Sequence, residues 1–242
     1  MYRAAILTDV HGNLPALESV LNDLNGADID AIYHLGDAIS IGPFPREVLE
    51  LLLGQSGTHF VLGNHDDYFA FGIPAAIADD PRRHETWTHA QLPETLRPTM
   101  QEWPRKQSLS VAGLEVRFLH YALSNDETAL KPVIKEPTPD QLGPLFAIGD
   151  ADLIWYGHHH PQADASADGI RYVNPGALGC SYDNLARYAI LKISPDGRYE
   201  IDFRAVEYDR ASLLHAFDAR DVPVRDFITR TFFGVPDPNL PK

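Results

Sequence analysis

Five apolar runs in this chain stop in the same manner, on aspartate, histidine or asparagine: RAAILT before DVHGN, AIYHL before GDAISIGP, THFVL before GNHDD, EVRFL before His120, and ADLIWY before GHHHP. Helical periodicity fills the gaps between the first three. LPALESVLNDL at 14–24 places Leu14, Leu17, Leu21 and Leu24 on one face, with Asn13 as N-cap and Pro15 in the first turn, and EVLELLL at 47–53 reads the same way. Strands alternating with helices predict an α/β sheet. In open sheets of that kind ligands bind at the carboxyl ends of the strands. Asp9, His11, Asp37, Asn64, His65, His120, His158 and His160 all fall just past a predicted strand, so residues spread over about 150 positions are expected to meet in one crevice.

Taken singly, each of these residues has a plain reading. Asp9 or Asn64 beside a glycine satisfies turn or cap N–H groups. A lone His120 is a buried core histidine, and a lone GHHHP is as much a surface loop as a ligand pair. If that run is extended, His158 and His160 share one side and His159 faces the other. Occurring in order, at spacings that βα crossovers allow, the residues point to a metal site. The donors are nitrogen and oxygen. Cys180 is the only cysteine, which excludes an intramolecular disulfide and a thiolate-rich centre. Carboxylate, amide oxygen and imidazole together suit Mn²⁺, Fe or Zn²⁺ and fit Ca²⁺ poorly.

With 242 residues, 44% of them hydrophobic, the chain can bury a large core, and the expectation is a single domain over 1–242. A helical insert is predicted at 66–108, through HETWTHAQL and again after Pro93, and a helical tail at 208–242. Further strands are predicted at 115–122, 151–157, 169–174 and 187–193, and the proline-rich stretch 132–144 as a loop. Thirty-four acidic against twenty basic residues give a net charge of −14, which disfavours duplex nucleic acid as a partner. No apolar run reaches the roughly 18 residues of a membrane span, and no basic-then-apolar leader opens the sequence, so a cytoplasmic location is expected. A small anionic substrate in such a chain depends on local cations, which metal ions provide.

The series DxHGN, GDxxxxGP, GNHD, a strand-terminal histidine and GHxH, running from residue 4 to about 195, resembles the calcineurin-like metallophosphoesterase superfamily, in particular its small bacterial phosphodiesterase and diadenosine-tetraphosphatase-like branch. The resemblance implies a four-layer αββα sandwich of two mixed β-sheets flanked by helices, with a dinuclear metal centre at their edge. It implies that Asp9, His11, Asp37 and His160 hold one ion, and that Asp37 as bridge, Asn64, His120 and His158 hold the other. A hydroxide shared by the ions would attack phosphorus, with His65 facing the substrate as general acid. The implied activity is hydrolysis of a small phosphodiester or phosphomonoester, nucleotide-derived compounds among the candidates.

Two alternatives stand beside it. One is a catalytically inactive scaffold of the same fold, which the complete set of ligand-type side chains disfavours. The other is a protein Ser/Thr phosphatase. Those enzymes resemble this pattern but carry Asp three residues after the bridging Asp, Arg before the GNH and Glu after it. Here the positions are Ser40, Leu62 and Asp66, so the Asp–His dyad and the phosphate-gripping Arg are missing. NPGALG at 174–179 matches the family's NPGS segment, whose small residues let the backbone pass close to the metals. His159 is expected to face away from them. His34, His59, His84, His89 and His215 lie off the motifs and read as structural or exposed. Trp87, Trp103 and Phe69 read as packing of the insert, as does Phe71.

Overall fold

A computed structural model describes residues 1–236 of the chain; positions 237–242 of the predicted tail lie outside the described residues. In chain order the elements are β1 (Tyr2–Leu7), α1 (Leu14–Leu24), β2 (Ala31–His34), α2 (Pro45–Leu53), β3 (Thr58–Phe60), α3 (Asn64–Phe71), α4 (Asp79–Gln91), α5 (Arg97–Gln101), β4 (Lys106–Val111), β5 (Leu114–Leu119), α6 (Pro139–Phe146), β6 (Leu153–Trp155), β7 (Ala163–Ala167), β8 (Ile170–Asn174), β9 (Leu185–Ile193), β10 (Tyr199–Glu207), α7 (Arg210–Ala219) and α8 (Arg225–Phe233). One five-stranded sheet runs β10-β9-β1-β2-β3 and a second runs β4-β5-β6-β8-β7. In the first, β1, β2 and β3 are parallel, and in the second β5, β6 and β8 are. Both sheets are mixed, because β9 and β10 add antiparallel to one and β4 and β7 to the other.

Alternation along the strands builds the layers. Ala4 and Ile6 of β1, Tyr33 of β2 and Leu191 of β9 face Val116, Phe118, Leu153 and Trp155 of the other sheet. Tyr33 stacks on Phe118 at the centre of this interface. The intervening residues Ala5, Leu7, Ile32 and Ile190 pack outward against Leu17 and Val20 of α1, Val48 and Leu52 of α2 and Phe217 of α7. On the far face of the second sheet, Ile154 and Tyr172 meet Leu142 and Phe146 of α6. The result is the expected four-layer arrangement of helices, sheet, sheet and helix. Among the described residues no helix is long and apolar enough to cross a membrane.

The structure departs from the sequence-based expectation in four places. The stretch 132–144 is not all loop: Thr138 and Gln141 form a capping box that opens α6. The insert begins earlier than 66, since α3 opens at Asn64, and gives way to β4 at Lys106, before its predicted end at 108. β4, β7 and β10 were not anticipated. The GHHHP run is not extended, since His158 and His160 both have positive φ.

Candidate metal centre

All eight predicted residues meet at the carboxyl edge shared by the two sheets. Asp9 and His11 follow β1, Asp37 follows β2, Asn64 and His65 open α3 just beyond β3, His120 follows β5, and His158 and His160 follow β6. Reaching that edge strains the backbone. Asp9, His11, Asp37, His158 and His160 all have φ between 47° and 67°, a left-handed region that costs a side-chain-bearing residue roughly 1 kcal/mol or more. Hydrogen bonds between loops hold the conformation. The N–H of Asp9 donates to Gly36 O at 3.1 Å, that of His11 to Asp37 O at 3.0 Å, and that of Gly179 to Asp9 O at 2.9 Å. The buried Asp66 carboxylate accepts from the N–H groups of Asp37 (2.7 Å), Ala38 (3.1 Å) and Gly63 (3.1 Å), and so fixes the loop that carries Asp37. At Gly157 the loops of the two sheets touch, because a Cβ there would overlap Thr8 Oγ1.

The side chains form two clusters, with Asp37 of the second also near His11 of the first. Candidate ligand atoms of Asp9, His11 and His160 lie within 4.8 Å of one another, and so do those of Asp37, His120 and His158. His11 Nε2 is 3.1 Å from His160 Nε2, and His120 Nε2 is 3.2 Å from both His158 Nδ1 and Asn64 Oδ1. Two ligands at ~2.1 Å from one ion stand ~3.0–3.4 Å apart at octahedral or tetrahedral angles, so these spacings suit a shared cation. Asp37 Oδ2 lies 3.1 Å from His120 Nε2 and 3.7 Å from His11 Nε2, between the clusters. Backbone carbonyls orient two of the rings: His11 Nδ1 faces Ile39 O at 3.2 Å and His120 Nδ1 faces Leu35 O at 2.9 Å.

Burial and the buried carboxylates set the protonation of these groups. Burial lowers the pKa of His11, His158 and His160, leaving them neutral, which is the ligating form. Burial also pushes Asp9 up, against the pull of His160 and His120. Burial would raise Asp37 too, but His120 and His65 outweigh it and hold the carboxyl well below the usual range. His120 shows the reciprocal balance: burial lowers it, and the Asp37 carboxylate lifts it to about 9.

One residue of this neighbourhood was not found from the sequence. Glu85, on α4, is 3% exposed, and its Oε1 lies 2.5 Å from His65 Nδ1 while accepting from Ser40 Oγ at 2.8 Å. A carboxylate–histidine pair is therefore present, although the Asp of the protein phosphatases is replaced by Ser40. In its DDPRRHETW context Glu85 looks like any charge on a solvated helix face, and its pairing depends on how α4 packs against α2 and α3. His65 also comes within reach of a metal cluster, its candidate atom lying within 4.8 Å of those of His11 and Asp37.

His159 is in contact with Tyr121 and Tyr156, at centroid distances of 4.9 and 6.0 Å, and belongs to neither cluster. His34 is fully buried, His84 nearly so, and His59 stacks on Tyr33. In the insert, Phe69 and Trp103 are buried and Phe71 is 61% exposed. A cavity of about 1110 Å³ opens over the clusters, with His11, Asp37, His65, His158 and His160 at one end and Leu142, Tyr156, Tyr182 and Phe232 among its walls. Lys135 also lines it, the one lysine among the described residues with neither an ion pair nor a hydrogen bond.

Two facing mixed sheets that gather aspartate, histidine and asparagine at one edge define a metallophosphoesterase-type sandwich. Residues 2–196 match the calcineurin-like phosphoesterase superfamily domain, and the chain belongs to that superfamily. An uncharacterized protein of Methanocaldococcus jannaschii is 28% identical over 232 residues, spanning 85% of this chain and 87% of that one. A metallophosphoesterase from Sphaerobacter thermophilus has a similar structure, with a TM-score of 0.73 at 26% identity over 95% of this chain and 97% of that one. A hypothetical protein from Pyrococcus horikoshii shares the fold, with a TM-score of 0.81 at 20% identity over 98% of this chain and all (100%) of that one.

Proposed function

We propose that the chain is a metal-dependent phosphoesterase that hydrolyses a small organic phosphodiester or phosphomonoester. Asp9, His11, Asp37 and His160 would hold one divalent ion, and Asp37, Asn64, His120 and His158 a second. The observation that carries this reading is the position of Asp37 Oδ2, within 3.7 Å of a histidine nitrogen in each cluster. Oxygen and imidazole donors without thiolate suit manganese, iron or zinc. Ions so held supply Lewis acidity and make water a nucleophile at neutral pH.

The chain's own residues do the rest. By holding the ions, Asp37 and the imidazoles at the cavity floor would fix where the phosphoryl group lies. His65, at that same floor, would give its Nε2 proton to the departing oxygen, a contribution worth ~10²–10⁴ in rate. The remaining cavity is far larger than a phosphoryl group, and its Leu142, Tyr156 and Phe232 walls suit an organic leaving group of nucleotide size. Lys135 adds a cation for an anionic ligand in a chain of net charge −14. A panel with the Mn²⁺-loaded protein tests the reading, using bis(p-nitrophenyl) phosphate, p-nitrophenyl phosphate and a dinucleoside polyphosphate. Turnover of at least one, abolished by EDTA, is expected; no turnover of any would contradict it.

A further inference from the structure

The helical insert places a buried carboxylate behind His65, a histidine that lines the cavity and that neither metal set requires. Glu85 does not line the cavity, whereas His65 does. Every group that faces Glu85 can be named. Ser40 Oγ and His65 Nδ1 meet its Oε1, its Oε2 has no hydrogen-bond partner and lies 3.9 Å from His89 Nε2, and His84 and Tyr68 are the remaining titratable neighbours. A carboxylate whose task is to hold a loop looks different here: Asp66, equally buried, takes three backbone N–H groups. Glu85 takes none. Burying a charge this deeply is costly unless it is paired, and an apolar residue would fill the same place on α4 without that cost.

We propose that Glu85 is the positioning residue for His65: its carboxylate takes the Nδ1 proton in a hydrogen bond, fixes the ring plane and leaves Nε2 facing the cavity. The inference rests on the phosphoesterase reading for its kinetic consequence and on geometry alone for the pairing. As the P–O bond breaks, the electron pair stays on the leaving oxygen, which takes the Nε2 proton. His65 ends neutral, with the Nδ1 proton still shared with Glu85. The insert thereby becomes part of the active site, since α4 supplies the group that orients the acid.

Glu85→Gln is expected to keep the fold and the metal content of the parent and to lower kcat about 10–100-fold on an alkyl ester. On the matching nitrophenyl ester, whose leaving group needs little protonation, the loss is expected to stay under about threefold. In a His65→Ala background the same substitution should cost less than about twofold. Equal losses on both esters, additive losses with His65→Ala, or loss of metal would overturn the proposal. Ser40→Ala, which removes the other donor to Glu85 Oε1, should give a smaller loss biased toward the same ester, and serves if Glu85→Gln does not fold; an unbiased loss counts against the proposal. A readout independent of turnover is proton NMR of the metal-free or Zn²⁺-loaded protein. The His65 Nδ1 proton is expected as a downfield signal that disappears in Glu85→Gln and in His65→Ala. Its absence from the parent would overturn the pairing whatever the protein hydrolyses, whereas its presence in a protein that hydrolyses neither ester would count against the phosphoesterase reading alone.

Discussion

Asp37 Oδ2 lies within 3.7 Å of a histidine nitrogen in each cluster, whereas His11 Nε2 meets Asp9 and His160 of its own cluster and approaches the other through Asp37. Asp37→Ala should therefore lower metal occupancy at both positions, and His11→Ala mainly at one. Elemental analysis per chain decides this, and equal stoichiometry in the two variants would contradict the bridging role. Residues of this kind were legible in the sequence because each sits beside a turn signal at the end of an apolar run. The left-handed conformations of Asp9, Asp37 and His158 explain why the runs stop so abruptly there. His158 and His160 converge on the same edge through two left-handed residues rather than through the extended strand that alternation along GHHHP predicts. Glu85 was illegible, since nothing in one helix's charge pattern says which carboxylate another element will cover.

At the scale of elements, α1 shows how one motif serves both fold and site. Asn13 Oδ1 accepts from Ala16 N at 3.1 Å to cap the helix, and Asn13 Nδ2 donates to Gly179 O at 2.8 Å across the site. Asn13→Ala is expected to destabilise the protein by about 1–2 kcal/mol, read as a lower urea midpoint; an unchanged midpoint would contradict the double role. The central strands were legible because both faces are buried, so AAIL in β1 and AIY in β2 read as continuous apolar runs. The missed strands β4, β7 and β10 are edge strands of the two sheets. KQSLSV and ADASA alternate between exposed and half-buried positions, and little in them is apolar enough to signal a strand. Proline and glycine within PDQLGPLF hid α6, although the Thr138 and Gln141 pair gave a start signal.

The molecule as a whole does not depend on its site for cohesion. One core lies between the sheets, and others lie outside each of them. Removing metal with a chelator should therefore abolish turnover while the far-UV circular dichroism stays unchanged, because the apolar interior supports the fold without it. Loss of the dichroism signal together with activity would make the centre structural. The central claim is that two ions bridged by Asp37 make this cleft a phosphoesterase. Its most direct test is to add Mn²⁺ stepwise to the chelator-treated protein while following bis(p-nitrophenyl) phosphate hydrolysis and metal content together. Activity should appear as the second equivalent binds and level off at two per chain, with no such rise in Asp37→Ala. Full activity at one equivalent, or two bound equivalents with no hydrolysis, would contradict the account.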